Sequence, residues 1–153
     1  MKKLSLLVVI LLVTFAGCKK DKVDQGAIDN KLILAYIQVH YPTAKATGSG
    51  LYYVIDAPGD ATRPIYTSTV YVKYRGYLLN GTQFDSSYEG SEQPAQFTIG
   101  TVVPGFGEGL KLFGKGGKGK LIIPSTLGYG VTAMPGIPAN SVIIFDIELV
   151  KFI

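Results

Sequence analysis

VYVKYRGYLLNGTQFDSS, residues 70–87, holds a strand, a turn and the start of a returning strand. Val70, Val72 and Tyr74 alternate with Tyr71, Lys73 and Arg75, the period of a strand with one buried and one wet face. Asn80-Gly81 predicts a hairpin through a type I′ turn, which takes positive φ at both central residues. Phe84 and Asp85 come directly after it. A large ring beside a carboxylate just past a turn suits the wall of a pocket. An ordinary hairpin, with Phe84 in the core and Asp85 solvated, accounts for the pair equally well at this point.

On either side of this hairpin, residues 51–55 read as a strand, and Ala95, Phe97 and Ile99 alternate as another. Val102-Val103-Pro104-Gly105 turns into a short helix carrying Phe106, Leu110 and Phe113, apolar at i, i+4 and i+7. Residues 114–119 read as a turn, 120–123 as a strand ending at Pro124, and 125–141 as a long Gly/Pro loop. The last strand, 142–152, has Ile143, Phe145, Ile147 and Leu149 on one face and Asp146 and Glu148 on the other. The expected class is α+β, a sheet wrapped on a helix. Composition agrees: 153 residues, 47% of them hydrophobic and 17% charged, suffice for one packed domain plus an attachment. The 19 Gly and 8 Pro favour turns and an antiparallel sheet over a helical bundle. The net charge of +4 includes Lys2 and Lys3 of a leader, and the remainder of about +2 is too small to argue for nucleic acid.

That leader is a positive Lys2-Lys3 followed by an apolar run over 4–16, short of the ~20 residues that a spanning helix needs. It closes on Phe15-Ala16-Gly17-Cys18. Small residues before a lone Cys resemble a bacterial lipobox, so residues 1–17 are expected to be a lipoprotein signal peptide and Cys18 the acylated mature N-terminus. Ordinary signal cleavage with Cys18 incidental is the alternative. With a single Cys, no intrachain disulfide forms. Each buried CH₂ contributes about 0.8 kcal/mol, so two or more acyl chains hold a protein firmly on a bilayer. Lys19 rather than Asp after the Cys resembles outer-membrane sorting patterns in Gram-negative envelopes, with the periplasmic and surface faces both open.

Residues 18–26 form a polar tether, and Asp24 is placed to cap a helix at its end. Ile28, Leu32, Ala35, Tyr36 and Val39 recur at helical spacing over 28–40, and Pro42 marks a stop. Ile33, Leu34 and Ile37 lie off that stripe, so the helix is apolar on more than one side. It packs on the domain, pairs with a second copy as a homodimer, or both. The organisation is thus an N-terminal helical segment, 27–48, ahead of one domain, 49–153.

Several chemistries are disfavoured. The glycine-rich run 114–120 starts like a phosphate loop, but Leu121 stands where Ser or Thr must hold magnesium and a strand comes next instead of a helix. One His and one Cys make no metal centre, and no cofactor is expected. His40 reads as a helix-end residue favourable to the dipole. No nucleophile elbow is present. Asp85 and Glu108 have no spacing that points to glycoside chemistry.

Six pieces nevertheless occur in order. They are Val70-x-Val72-x-Tyr74-x-Gly76; Asn80-Gly81-Thr82-x-Phe84-Asp85-Ser86-Ser87; Val102-Val103-Pro104-Gly105-Phe106; Leu127-Gly128-Tyr129-Gly130; Pro135-Gly136-Ile137-Pro138; and Phe145-Asp146-Ile147-Glu148-Leu149. Together they resemble the FKBP-type peptidyl-prolyl cis-trans isomerases, over about two-thirds of the chain from Leu51 onward. With the helix and lipobox ahead, the chain is similar to the lipid-anchored, Bacteroidetes-like envelope members.

The resemblance implies a strongly twisted five-stranded antiparallel sheet curled around a short helix, with a pocket between them. By motif, the catalytic residues would be Tyr74, Phe84, Asp85, Phe106, Tyr129 and Phe145, and the substrate-binding residues Phe97, Val102, Val103 and Ile137. Phe106 stands where many members carry Trp, and Ala95 and Met134 where members carry Phe and His. The implied activity is rotation of X–Pro bonds in unfolded or partly folded exported proteins, with macrolides as the implied inhibitor class. Two other readings compete: an FKBP-shaped binding module with little catalysis, and a structural lipoprotein that docks through its helix.

Overall fold

The structure, a computed structural model, describes residues 23–88 and 93–153. The leader, Cys18 and the first part of the tether lie outside the described residues. Among the described residues, no helix is long and apolar enough to cross a membrane.

The elements run α1 (Gln25–His40), β1 (Lys45–Ala46), β2 (Tyr52–Ala57), β3 (Thr69–Leu78), β4 (Gln83–Ser86), β5 (Ala95–Thr98), α2 (Pro104–Leu110), β6 (Gly117–Ile123) and β7 (Ile143–Phe152). The sheet is ordered β1-β2-β6-β7-β3-β4, with β5 also on β3, and every pairing is antiparallel. β5 pairs Thr69–Val72 of β3 and β4 pairs Arg75–Tyr77, so the expected fifth strand exists as two pieces along one edge. The two-residue β1 adds a further edge, and together these make seven strands.

The alternation in β3 and β7 sorts the two sheet faces as the sequence predicts. Val70, Val72 and Tyr74 join Leu121, Ile123, Ile143, Phe145, Ile147 and Leu149 in the main core, against Phe106, Leu110 and Phe113. Pro104 starts α2, where its missing N–H is no loss. Gly105 and Gly109 let α2 lie directly on the sheet, since a Cβ on either would come within 2.4 Å of Ile123 or Leu121. The opposite face carries charge. Register sets Lys73 and Lys118 on either side of Glu148, and Arg75 and Lys120 on either side of Asp146. Lys118 meets Glu148 at 3.3 Å and Lys120 meets Asp146 at 2.8 Å.

Three local expectations change. The Asn80-Gly81 turn is not type I′, because only Gly81 has positive φ, at 84°. The Gly81 N–H donates to Leu78 O and the Leu78 N–H to Thr82 O, both at 2.9 Å. This is a three-residue loop: a turn through Leu79 and Asn80 that ends on a left-handed glycine. Space around Gly81 is open, so its φ is the reason for glycine there. In α1 the buried residues are Asp29, Ile33 and Ile37, while Ile28, Leu32 and Val39 are exposed. Ile33 and Ile37 pack on Ile122, Val142 and Ile144 of the outer sheet face. A helix apolar on more than one side holds no local record of which side is covered; the sheet chooses. Asp24 does cap it, accepting from the Ala27 N–H at 3.1 Å. Finally, Gly117, Lys118 and Gly119 belong to β6 rather than to a turn, because β7 pairs with all three and β2 with Lys118 and Gly119.

Candidate active site

The inner face of the sheet and the start of α2 leave an opening of about 220 Å³. It is lined by Tyr74, Asp85, Phe97, Thr101, Val102, Val103, Phe106, Tyr129 and Phe145. Each position has a local cause. Tyr74 and Phe145 are inward-facing residues of the two central strands. Phe106 sits in the first turn of α2, 4% exposed, and floors the opening. Val102 and Val103 lie in the extended link that enters the helix. Tyr129 comes from the turn after β6, bounded by Gly128 and Gly130.

The rings form one connected wall. Phe106 and Phe145 lie 4.7 Å apart, and Tyr74 contacts Phe97, Phe106 and Phe145 at 5.7, 6.1 and 5.8 Å. Phe97 meets Phe106 edge-on at 5.9 Å. Such offset and edge contacts contribute about 0.5–1.5 kcal/mol each beyond area burial, so the wall is stiff without filling the hollow. At about 220 Å³ the site is smaller than the roughly 300–1,000 Å³ typical of drug-sized ligands, a size suited to a single small ring.

Few polar groups reach this surface. The Tyr74 hydroxyl donates to Asp85 Oδ2 at 2.7 Å, and the Ser86 N–H donates to Asp85 Oδ1 at 2.8 Å. Asp85 itself is exposed. Burial, and then the Asp85 bond and charge, push the Tyr74 hydroxyl far above the ordinary tyrosine value. Burial raises Tyr129 too, with the Asp85 charge second. Both phenols are therefore neutral donors at working pH. Among the described residues, neither the Val103 N–H nor the Tyr129 hydroxyl has a protein acceptor. Two donors thus stand at the opening without partners.

Eight of the ten residues expected at the site line it, Tyr74, Asp85, Phe97, Val102, Val103, Phe106, Tyr129 and Phe145. Phe84 and Ile137 stand behind. The Phe84 ring packs edge-on to Phe145 at 5.7 Å, over Gly76, and Ile137 is 4% exposed in the core. The pair read from the hairpin thus divides: Asp85 faces the opening, and Phe84 supports the ring that does. The pairing slips by one residue here, with Gly76 opposite Asp85 and Tyr77 opposite Gln83, so Phe84 is the extra residue of a bulge and packs beneath Phe145 beside Asp85. Thr101 was missed; it lines the rim and donates to Thr98 O at 2.9 Å. Its only signal was its place beside Val102. Among the described residues, no three His, Cys, Asp or Glu side chains gather as a metal site. A larger opening of about 340 Å³ on the outer sheet face is lined mainly by the charged rows of β3, β6 and β7, with Tyr88 the one ring in its lining.

Comparison with known proteins decides the family. The profile of the FKBP-type peptidyl-prolyl cis-trans isomerase family matches residues 61–150. The chain belongs to the FKBP-type peptidyl-prolyl cis-trans isomerases. This FKBP chain is 46% identical over 105 residues to FkpA of Escherichia coli, covering 69% of this chain and 38% of that protein. It is 49% identical over 138 residues to FkpA of Buchnera aphidicola subsp. Schizaphis graminum, covering 90% and 52%. The chain therefore spans about two-fifths to a half of these curated relatives. The crystal structure of Escherichia coli FkpA superposes with a TM-score of 0.75 at 38% identity, covering 84% of this chain and 59% of that one. That of a peptidyl-prolyl cis-trans isomerase from Pseudomonas syringae gives 0.72 at 27% identity, covering 84% and 92%.

Proposed function

We propose that this FKBP chain is a peptidyl-prolyl cis-trans isomerase acting on proline-containing segments of unfolded or partly folded exported proteins. The observation that carries the reading is the ring-lined opening of about 220 Å³ with two unpartnered donors at its mouth. A peptide bond resists rotation by ~18–20 kcal/mol because twisting removes its resonance. The planar amide is a strong dipole and well solvated, whereas the twisted one is less polar. A dry aromatic surface therefore disfavours the planar state relative to the twisted state, with no nucleophile and no proton transfer. A thousandfold acceleration needs only about 4 kcal/mol.

In this reading Phe106, Phe145 and Tyr74 receive the proline ring, and Phe97 and Val102 close its sides. The Val103 N–H and the Tyr129 hydroxyl hold substrate carbonyls. Asp85 orients Tyr74 and presents its charge to the carbonyl that turns. Phe84 and Ile137 act by backing Phe145 and the loop before β7. The small size of the hollow favours a peptide over a macrolide, although macrolides stay in the inhibitor class to test. The organisation we infer is a helical segment, 27–48, on an isomerase domain, 49–153, attached to the cell envelope through acylated Cys18 and a tether. The outer membrane is the inferred site, on its periplasmic or surface face. The exposed Ile28, Leu32 and Val39 of α1 leave room for a homodimer.

The test is exchange of a proline peptide, monitored by NMR or a protease-coupled assay, with the protein starting after Cys18. Acceleration is expected. Binding without acceleration would instead identify a chaperone-like module with an FKBP shell. Palmitate labelling lost in Cys18→Ala tests the anchor.

A further inference from the structure

Asp29 is wholly buried, yet it belongs to α1 and does not line the opening. Its Oδ2 accepts from the Ser125 N–H at 2.7 Å and from the Ser125 hydroxyl at 2.6 Å. Its Oδ1 accepts from the Gln25 amide at 2.7 Å. A buried carboxyl group must be satisfied by such donors, and two of the three come from one residue 96 positions away. Ser125 has no polar atom left idle. Its carbonyl accepts from the Gly128 N–H at 3.0 Å and from the Gly130 N–H at 2.9 Å. Those two N–H groups bracket Tyr129. The chain Asp29, Ser125, Gly128 and Gly130 therefore ties the N-terminal helix to the turn that aims the Tyr129 hydroxyl. Among the described residues, nothing else in the pocket is held from outside the domain in this way.

We infer that Asp29 is a positioning residue for the isomerase site, acting through Ser125 on Tyr129, and that α1 is part of the working unit rather than a spacer. The inference rests on the isomerase reading above. A second contact of α1, Tyr52 hydroxyl to Asn30 Oδ1 at 2.9 Å, lies at the exposed side of the helix and does not touch the turn, so it serves as a control.

The experiment uses the protein starting after Cys18 with fluorotyrosine at position 129, and reads both the ¹⁹F signal of that ring and proline-peptide exchange. Asp29→Ala and Ser125→Ala are each made alone and together with Tyr129→Phe. Near-ultraviolet circular dichroism checks packing, and Asp29→Asn, which keeps the shape and one acceptor, covers the case in which alanine unfolds the chain. The expected result is a shifted or broadened ¹⁹F signal and a fall in kcat/KM of about fivefold, the equivalent of one hydrogen bond. In the Tyr129→Phe background the same substitutions should cost no further activity, while Asn30→Ala should change neither reading. An unmoved ¹⁹F signal, or losses that multiply in the double variants, would overturn the inference. Wild-type protein that fails to accelerate exchange would refute the isomerase reading whatever the tyrosine signal does, so the two failures are read separately.

Discussion

Replacing Tyr74 by Phe and, separately, Phe97 by Ala divides the polar from the apolar contribution to the site. Tyr74→Phe keeps the ring, which is 8% exposed, and its contacts to Phe97, Phe106 and Phe145. It removes only the 2.7 Å bond to Asp85. Asp85 retains the Ser86 N–H and is open to water, so its lost partner is replaced. A bond to a carboxylate is worth about 1.5–3 kcal/mol when buried, and exposure brings this nearer 1 kcal/mol. The melting temperature should fall by about 4 °C and kcat/KM by about fivefold. Phe97→Ala removes one side of the wall and two ring pairs, and it lets water onto Tyr74 and Phe106. If about 4 kcal/mol of acceleration is shared among five rings, one ring accounts for about 0.8 kcal/mol, or about fourfold. Exchange spectroscopy on a proline peptide measures both, with melting curves to confirm folding. Near-total loss in Tyr74→Phe beside unchanged activity in Phe97→Ala would refute the dry-pocket argument and point to polar chemistry instead.

Gly76→Ala would drive a Cβ to 2.6 Å from Phe84 and 2.8 Å from Phe145, so we expect a misplaced pocket ring and at least a tenfold loss of kcat/KM, read in the same assay. Gly81→Ala meets open space but a φ of 84°, and should cost about 1–2 kcal/mol in denaturant unfolding while leaving catalysis intact. For pH, Tyr74 and Tyr129 have folded-state values raised above the ordinary 10.0, by burial first and Asp85 second. Between that value and the raised ones the folded state binds more protons than the unfolded chain. Their stabilising share is thus complete below pH 10.0 and declines above it. Tyrosinate absorbance should show both rings ionising late, and activity should stay level up to pH 10.0; ionisation at the ordinary value would contradict their burial.

The site residues were legible through the resemblance of their motifs to the family, and the elements that carry them through local signals. Val70, Val72 and Tyr74 alternate whatever the rest of the chain does, and Pro104-Gly105-Phe106 states a helix start and one buried ring. Phe84 backs Phe145 instead of lining the opening, a placement set by the slipped register beside Gly76 that adjacency in sequence does not reveal. Thr101 carried no signal of its own. The Asn80-Gly81 turn was found, but its type depends on how many residues the two strands leave unpaired, which only their register states.

Taken alone, the chain's order of residues determined the α+β class and most strand positions, since these arise from short-range periodicity and backbone preference, while the aromatic set of the pocket was implied by the resemblance of its motifs to the family. Tertiary structure alone decided which apolar side of α1 is covered, that β6 begins at Gly117, and that Asp29 meets Ser125. Those outcomes depend on partners many residues away, and the energy that selects them exists only once the sheet has brought the partners together.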